Sequence, residues 1–470
     1  MNRLLAATSL LILVVAAPAQ GAVVSTSTDG VRATSGVLYV SPTGDDGAAG
    51  TRAAPLRTPQ VAVDALPDGG TVYLLPGTYS RQRIVLAGRH DLTIAATRAR
   101  RAVLDASGLT PRPDDSGVVQ ISDSSRVTVR GLDIRGYRTT SLRRVPIGIY
   151  VTGHDRHVTL ADNHVHRLGN DNGTLGSFDI NAHGIAVYGR DAQHPISHLR
   201  IVGNEVDHLH LGASESVVVN GNVDHWRITG NRIHDDDNIG IDAIGWEPTL
   251  TGSHRYTTAN RARHGLIAHN RISRIISQGN PAYWEGDGWC NCADGIYVDG
   301  GEHIAIRHNV VRTSDIAIEA GAENGRGHTN DITIADNRVS GSRYVGLALG
   351  GYSPSRGEVY DVRVRHNHFR NDNTDNDGSP ELLIQFKVHE TTLAHNVVVA
   401  THRAAPLLLQ RVRRVGTAAQ NRHVRLDHNH YLAPVAASHA EFIWLGHALT
   451  GFASYRHASR QDGHSTCRKG

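Results

Sequence analysis

Aromatic rings are scarce in this chain: only 5% of its 470 residues are Phe, Trp or Tyr, and there is a single Met. Interiors of large globular proteins are usually filled by such side chains, so small aliphatic residues must fill this one. Lysine is confined to Lys387 and Lys469, which makes nearly all of the 48 basic residues Arg. With 45 acidic residues against them the formal charge is +3, too balanced to favour nucleic acid or a membrane surface as partner. Three cysteines cannot frame a disulfide-built fold. Cys290-Asn291-Cys292 has the wrong spacing for a zinc knuckle, and two pairings stay open, one inside this triplet and one reaching Cys467. Beyond the N-terminus no apolar run approaches the roughly 18 residues that span a bilayer.

Glycine (49) and histidine (30) are plentiful. The histidines are spread thinly and are expected at solvent-facing coil positions rather than as ligands. Residues 1–22 read as a secretory signal, with Arg3 as the charge, residues 4–15 as the apolar run and Ala17-Pro18-Ala19 as the cleavage site, so export is expected. Residues 23–36 are rich in Ser, Thr and Gly and read as a flexible lead-in.

From Leu92 onward the chain repeats. A phrase aliphatic-x-aliphatic-x-x-Asn ends at Asn163, Asn204, Asn231, Asn270, Asn309, Asn337, Asn367, Asn396 and Asn429, with separations from 27 to 41 residues. Between these lies a second phrase, a small residue followed by alternating aliphatics, as in Gly148-Ile149-Tyr150-Val151, Gly184-Ile185-Ala186-Val187 and Gly346-Leu347-Ala348-Leu349. Short strands in a fixed period are coils of a parallel solenoid, and stacked coils bury a continuous aliphatic core. A sandwich of hairpins would show two-residue turns and no fixed repeat. Asn at one corner of every coil suits the left-handed backbone of a tight turn, and its amide can bond the next Asn of the stack.

Three of the second phrases carry a carboxylate: Asn238-Ile239-Gly240-Ile241-Asp242, Gly295-Ile296-Tyr297-Val298-Asp299 and Asp315-Ile316-Ala317-Ile318-Glu319. If the runs are equivalent strands, Asp242, Asp299 and Glu319 stack on neighbouring coils about 4.8 Å apart and point to solvent. Like charges so close resist ionising together, which would make the flanked Asp299 the hardest to ionise. Insertions at 246–263 and 275–293 border these acids, and smaller ones lie at 168–183 and 371–380. Tyr283-Trp284-Glu285-Gly286-Asp287-Gly288-Trp289 in the second has the composition of a sugar-stacking wall. His234, Trp246, Tyr283, Trp284, Trp289 and Tyr297 are therefore the candidate substrate contacts. The Asp and Asn alternation of 371–380 is oxygen-rich but lacks the spacing of a known calcium cage.

Both ends carry a resemblance. Leu38-Tyr39-Val40-Ser41-Pro42-Thr43-Gly44-Asp45-Asp46-Gly47, Pro55-Leu56-Arg57-Thr58, a helix at Pro59–Ala65 and Gly70-Thr71-Val72-Tyr73-Leu74-Leu75-Pro76-Gly77-Thr78-Tyr79 resemble the opening of secreted right-handed parallel β-helix proteins, the pectate-lyase-like superfamily of carbohydrate-active proteins. Phe442-Ile443-Trp444-Leu445-Gly446, Phe452, Tyr455 and Gln461-Asp462-Gly463-His464-Ser465 resemble the closing phrase of many such enzymes. The resemblance implies an all-β, single-stranded right-handed parallel β-helix over 37–465 with an N-terminal capping helix and a polysaccharide partner; 466–470 is expected as a short tail and the protein as a monomer.

Three functions follow as expectations. Hydrolysis needs one protonated and one ionised carboxyl, about 5–5.5 Å apart if configuration is retained and about 6.5–9.5 Å if inverted, which Asp242, Asp299 and Glu319 could supply without a cofactor. Elimination from a uronate needs a cation and a base. His234-Asp235-Asp236-Asp237-Asn238-Ile239-Gly240-Ile241-Asp242 resembles the calcium-binding segment of some β-helix pectate lyases, which would make Asp236, Asp237 and Asp242 ligands of Ca2+. The lyase phrase Gly-Phe-Lys-Leu-Gly-Gly is matched by Gly346-Leu347-Ala348-Leu349-Gly350-Gly351, with Ala348 in place of the Lys and Lys387 one coil further on as the remaining amine. The third is a non-catalytic carbohydrate-binding protein. The carboxylates and the missing Lys tilt the expectation towards hydrolysis.

Overall fold

The computed structural model describes residues 36–403, 406–410, 414–415 and 418–470; the expected signal segment and all but Gly36 of the expected lead-in lie outside them. The chain winds as a right-handed parallel β-helix whose coils build three long sheets of 14, 13 and 13 strands. One coil shows the plan. Arg200–Val202 lies in the first sheet, Asn204 turns the corner, Glu205–Asp207 lies in the second sheet, Val217–Gly221 in the third, and Val223–Thr229 returns to the first. Parallel register stacks like on like: Ile201, Ile228, Ile267, Ile306, Ile334 and Val364 form one inward file. All six are at most 1% exposed, so the aliphatic phrases fill the bore without rings.

The corner Asn residues form a ladder through all nine predicted positions. Asn231 Nδ2 donates to Asn270 Oδ1 at 3.0 Å and to the Ile201 carbonyl at 3.0 Å, while its backbone N–H donates to the same Asn270 oxygen at 2.9 Å. The pattern repeats coil by coil from Asn163 to Asn429, which ends on Ser465 Oγ and Asp462 Oδ1. The left-handed backbone expected at these Asn belongs instead to the residue before each, among them Asp162, His269, His308, Asp336, His366, His395 and His428 with φ of 56–58°. The Asn is left free to satisfy buried amides.

That displacement also explains the histidines, which are not scattered. His366, His395, His428 and His464 stack at 4.8–5.2 Å along this corner. His157, His198, His225, His264 and His303 stack at 4.6–5.6 Å at the entry to the first sheet.

Both ends are closed. Helix α1 (Pro59–Ala65) buries Pro59, Ala62 and Val63 over the first coil. Its Gln60 side chain accepts from Val85 N–H at 2.7 Å and donates to Val85 C=O at 3.1 Å, pairing the exposed edge of the third sheet as a strand would. At the other end helix α2 (Phe452–Ser459) packs Phe452 and Tyr455 on Phe442. Residues 466–470 are no tail: Thr466–Lys469 pairs in parallel with His430–Ala433 as the last strand of the second sheet. Cys290 is bonded to Cys292, and Cys467 is free.

Candidate functional site

The outer face of the third sheet carries one continuous row, Tyr150, Ala186, Val218, Asp242, Tyr297, Glu319, Ala348, Leu383 and Leu409, in direct register from coil to coil. Tyr150, Ala186 and Val218 belong to one apolar cluster, and Ala348 and Leu383 to another. The row turns acidic only between them, at Asp242 and Glu319.

This corrects the expected column. Asp242 aligns with Tyr297, and Asp299 lies two residues further along, opposite Gly321. The anchor is glycine. A Cβ on Gly240 would meet the Gly295 carbonyl at 2.7 Å, and one on Gly295 would meet the Ala317 carbonyl at 2.7 Å, so these small residues share a register position. Asp299 is therefore diagonal to both other acids, about 8 Å away by the 4.8 Å coil spacing and 3.3 Å rise of strands. Nor do the acids face open solvent: Asp242, Asp299 and Glu319 are 2%, 7% and 7% exposed.

Sequence reasoning missed further carboxyls. Asp294, directly before the Gly295 anchor, is buried and hydrogen-bonds with Glu319. Glu215 is buried beside them, and Glu247 and Glu323 stand exposed at the rim. Burial, then the repulsion of Glu323, lifts Glu319 to about 8, while the hydrogen bond from Asp294 draws it the other way. Burial and neighbouring carboxylates hold Asp242, Asp294 and Asp299 well above the usual carboxylate range. Within the cluster Asp299 alone of these three accepts a backbone N–H, from Glu323 at 2.6 Å, whereas Asp242 Oδ1 and Asp294 Oδ1 have no partner. That bond supports the charged form of Asp299 against the burial and the Glu323 repulsion that raise it. Flanking, the reason for expecting Asp299 to be the hardest to ionise and hence the general acid, is gone.

Loops wall the acids on one side. Gly176 N–H donates to the Pro281 carbonyl at 2.8 Å, Phe178 packs edge-on against Tyr283 at 5.7 Å, and Asn291 bonds Asp375 at 3.1 Å, which joins the 168–183, 275–293 and 371–380 insertions. Tyr283 Oη accepts from Asn238 Nδ2 at 3.1 Å and lies by the acids. Trp284 and Trp289 meet edge to face at 4.8 Å on this wall, with Trp289 40% exposed. In the 371–380 loop Asp375 pairs with Arg343, and Asp372 is buried and accepts from the Ser342 and Arg370 N–H groups, so these acids tie turns.

Several candidates fall outside the cluster. Trp246 is 4% exposed: its indole N–H donates to the His328 carbonyl at 2.9 Å and its ring lies against Arg261, so it pins the other flanking loop. His234 is buried on the second sheet between Glu205 and Asp235. Lys387 donates to the Arg356 carbonyl at 2.6 Å and so ties the 350–357 loop. The calcium set does not converge. Asp236 accepts from Leu209 N–H at 2.9 Å and Ser216 Oγ at 2.7 Å, and Asp237 from Leu211 N–H at 2.7 Å, beside a cavity of about 670 Å³ also lined by Asp171 and His208. Asp242 belongs to a different sheet, among other acids. These three residues do not form a Ca2+ cage.

Fold and site together define a parallel β-helix with a buried carboxyl cluster on one outer face. In sequence the chain is 33% identical over 429 residues to an uncharacterized protein, YwoF, of Bacillus subtilis (strain 168), covering 90% of this chain and 86% of that one; it belongs to the same family. It is also similar to pectate lyase PEL9 of Emericella nidulans, 29% identical over 137 residues, which are 27% of this chain and 33% of that protein. No family model matches. Among solved structures, the GH136 lacto-N-biosidase from Eubacterium ramulus superposes with a TM-score of 0.57 at 14% identity, covering 84% of this chain and 67% of that one. The Dettilon tailspike protein gives 0.50 at 14% identity, covering 92% and 68%. At such identities these two share the fold.

Proposed function

We propose that the chain is a polysaccharide-cleaving glycoside hydrolase working at the carboxyl cluster of the third sheet. The observation that carries this is the Asp294–Glu319 hydrogen bond inside a group of buried acids: two carboxyls in such contact hold a proton at neutral pH. Glu319, on the outer row and lifted to about 8 by burial, donates its own proton to the glycosidic oxygen as the bond from the anomeric carbon breaks. Asp299, whose ionised form the Glu323 N–H supports against burial and the repulsion of Glu323, takes a proton from the water that attacks the anomeric carbon. Their backbone positions lie about 8 Å apart on the diagonal, and the Glu319 side chain leans towards Gly321, the residue opposite Asp299. Asp242 and Tyr297 line the row beside them, and Trp289 offers an exposed ring for stacking.

Support also comes from the lacto-N-biosidase with the same fold, a glycosidase by its description. The similarity to a pectate lyase favours elimination as the second reading. Against it stand Ala348, packed with Ile316, Val345 and Leu383 where a lyase Lys is expected, and Lys387, whose amine is engaged by Arg356.

The test is incubation of the purified protein with a panel of plant, algal and bacterial polysaccharides, following reducing ends and the ultraviolet absorbance of unsaturated uronates together. New reducing ends without absorbance are expected. Absorbance rising with the ends would establish elimination, and neither signal across the panel would leave a binding protein.

A further inference from the structure

Away from the carboxyl cluster, on the outer face of the second sheet, four side chains from three successive coils cross over one another. His164 stands in register between Asp133 and Glu205, and His166 between Arg135 and Asp207. Two contacts run diagonally and one, His164 to Asp133, runs in register. His166 Nε2 lies 3.1 Å from Asp133 Oδ1, His164 Nδ1 lies 3.7 Å from Asp133 Oδ2, and His164 Nε2 lies 2.7 Å from Asp207 Oδ1. The two imidazoles are parallel, with centroids 4.0 Å apart. We propose that Asp133, His164 and His166 form a zinc-class transition-metal site, with Asp207 as the positioning carboxylate behind His164.

Three features of the group point to a metal. Ligands at 2.0–2.1 Å in a tetrahedral shell stand about 3.3 Å from each other, close to the 3.1 Å between His166 Nε2 and Asp133 Oδ1, while His164 Nδ1 approaches the other oxygen of the same carboxylate at 3.7 Å. All three ligand atoms lie within 4.8 Å of one another. His164 Nε2 lies 2.7 Å from Asp207, the place an outer carboxylate takes behind a metal-ligating imidazole, and a bound ion would displace the proton that otherwise sits between Nδ1 and Asp133. Two imidazoles, one carboxylate and a free fourth position are a donor set that suits zinc.

Shelter separates this group from the two other trios within metal reach among the described residues. The side chains of His164, His166 and Asp133 are 21%, 9% and 13% exposed. In Asp224, His225 and His264 both imidazoles are at least 42% exposed, and in Asp427, His428 and His464 at least 49%. A held, desolvated trio loses less freedom on binding than solvated ones. Because its ligands come from two coils and its positioning carboxylate from a third, the ion would fasten the early coils together.

The experiment is calorimetric titration of the full chain, stripped with chelator, with Zn2+, and absorption spectroscopy with Co2+ on the unmodified protein. One tight site per chain is expected, with the intense visible bands of tetrahedral Co2+ and a rise in melting temperature on adding Zn2+. His164→Gln and His166→Gln should each weaken that step at least about 100-fold, and Asp207→Asn about 10- to 100-fold. A His225→Ala/His428→Ala double variant should keep it. Absence of a tight step, or Co2+ bands of octahedral type, in the unmodified protein would overturn the site and leave an ion-paired His–Asp cluster. So would loss of the step in the double variant, which would put the metal on the exposed columns.

Discussion

Asp242 pairs across one coil with Tyr297, so a phenol ring separates it from Glu319 along the outer row of the third sheet. The acids are thereby kept from direct stacking, and Asp299 reaches them on the diagonal. Catalytic predictions rest on that geometry. Glu319→Gln and Asp299→Asn should each lower turnover at least about 100-fold, and Asp242→Asn by less, while circular dichroism stays unchanged. Lys387→Ala should keep most of it. An inactive Lys387→Ala beside three active acid variants would move the chemistry to elimination.

The Trp residues should divide by role. Trp289→Ala is expected to weaken oligosaccharide binding by about 1–3 kcal/mol with little change in melting temperature, because its ring is half-exposed. Trp246→Ala should do the reverse, since it removes a buried ring and its hydrogen bond to His328. Paired calorimetric and binding measurements on the two variants check this, and equal stability losses would refute it.

Stability should fall as pH rises from about 4.5 to about 8. Burial raises Glu319 to about 8 and Asp155 to about 7, and holds Asp372 and Glu381 above their usual range. Across that window the folded chain keeps protons that the unfolded chain has released, so each pH unit favours unfolding. Urea midpoints at pH 5 and pH 8.5 decide the matter: the lower pH should give the higher midpoint, and Asp155→Asn should reduce the difference.

Cutting the Asn ladder in its middle should be expensive. Asn270→Ala removes bonds to Asn309 and Ile228 and leaves the Asn231 amides without their acceptor, for a loss of about 2–4 kcal/mol. The neighbouring exposed His269→Ala should cost well under half of that by chemical denaturation. A small effect at Asn270 would mean that water replaces the ladder readily.

The repeat of aliphatic pairs and Asn determined the fold by itself, because stacking identical coils is the only way such short strands bury their inward faces. The terminal phrases, by their resemblance to parallel β-helix proteins, marked the capping helix and the closing end, and the insertions that break the regular period marked the region of the site. Register was legible too, in the Gly-Ile anchors of Gly240-Ile241 and Gly295-Ile296, which put Asp242 level with Tyr297; matching the runs by their acids instead hid it. Only the tertiary structure decided which polar groups meet. Asp294 joins Glu319, His234 and Trp246 turn away from the acids, and Lys387 spends its amine on a loop carbonyl. Such contacts are set by the path of loops between coils and by side chains crossing diagonally from one coil to the next, and a linear period carries no record of either.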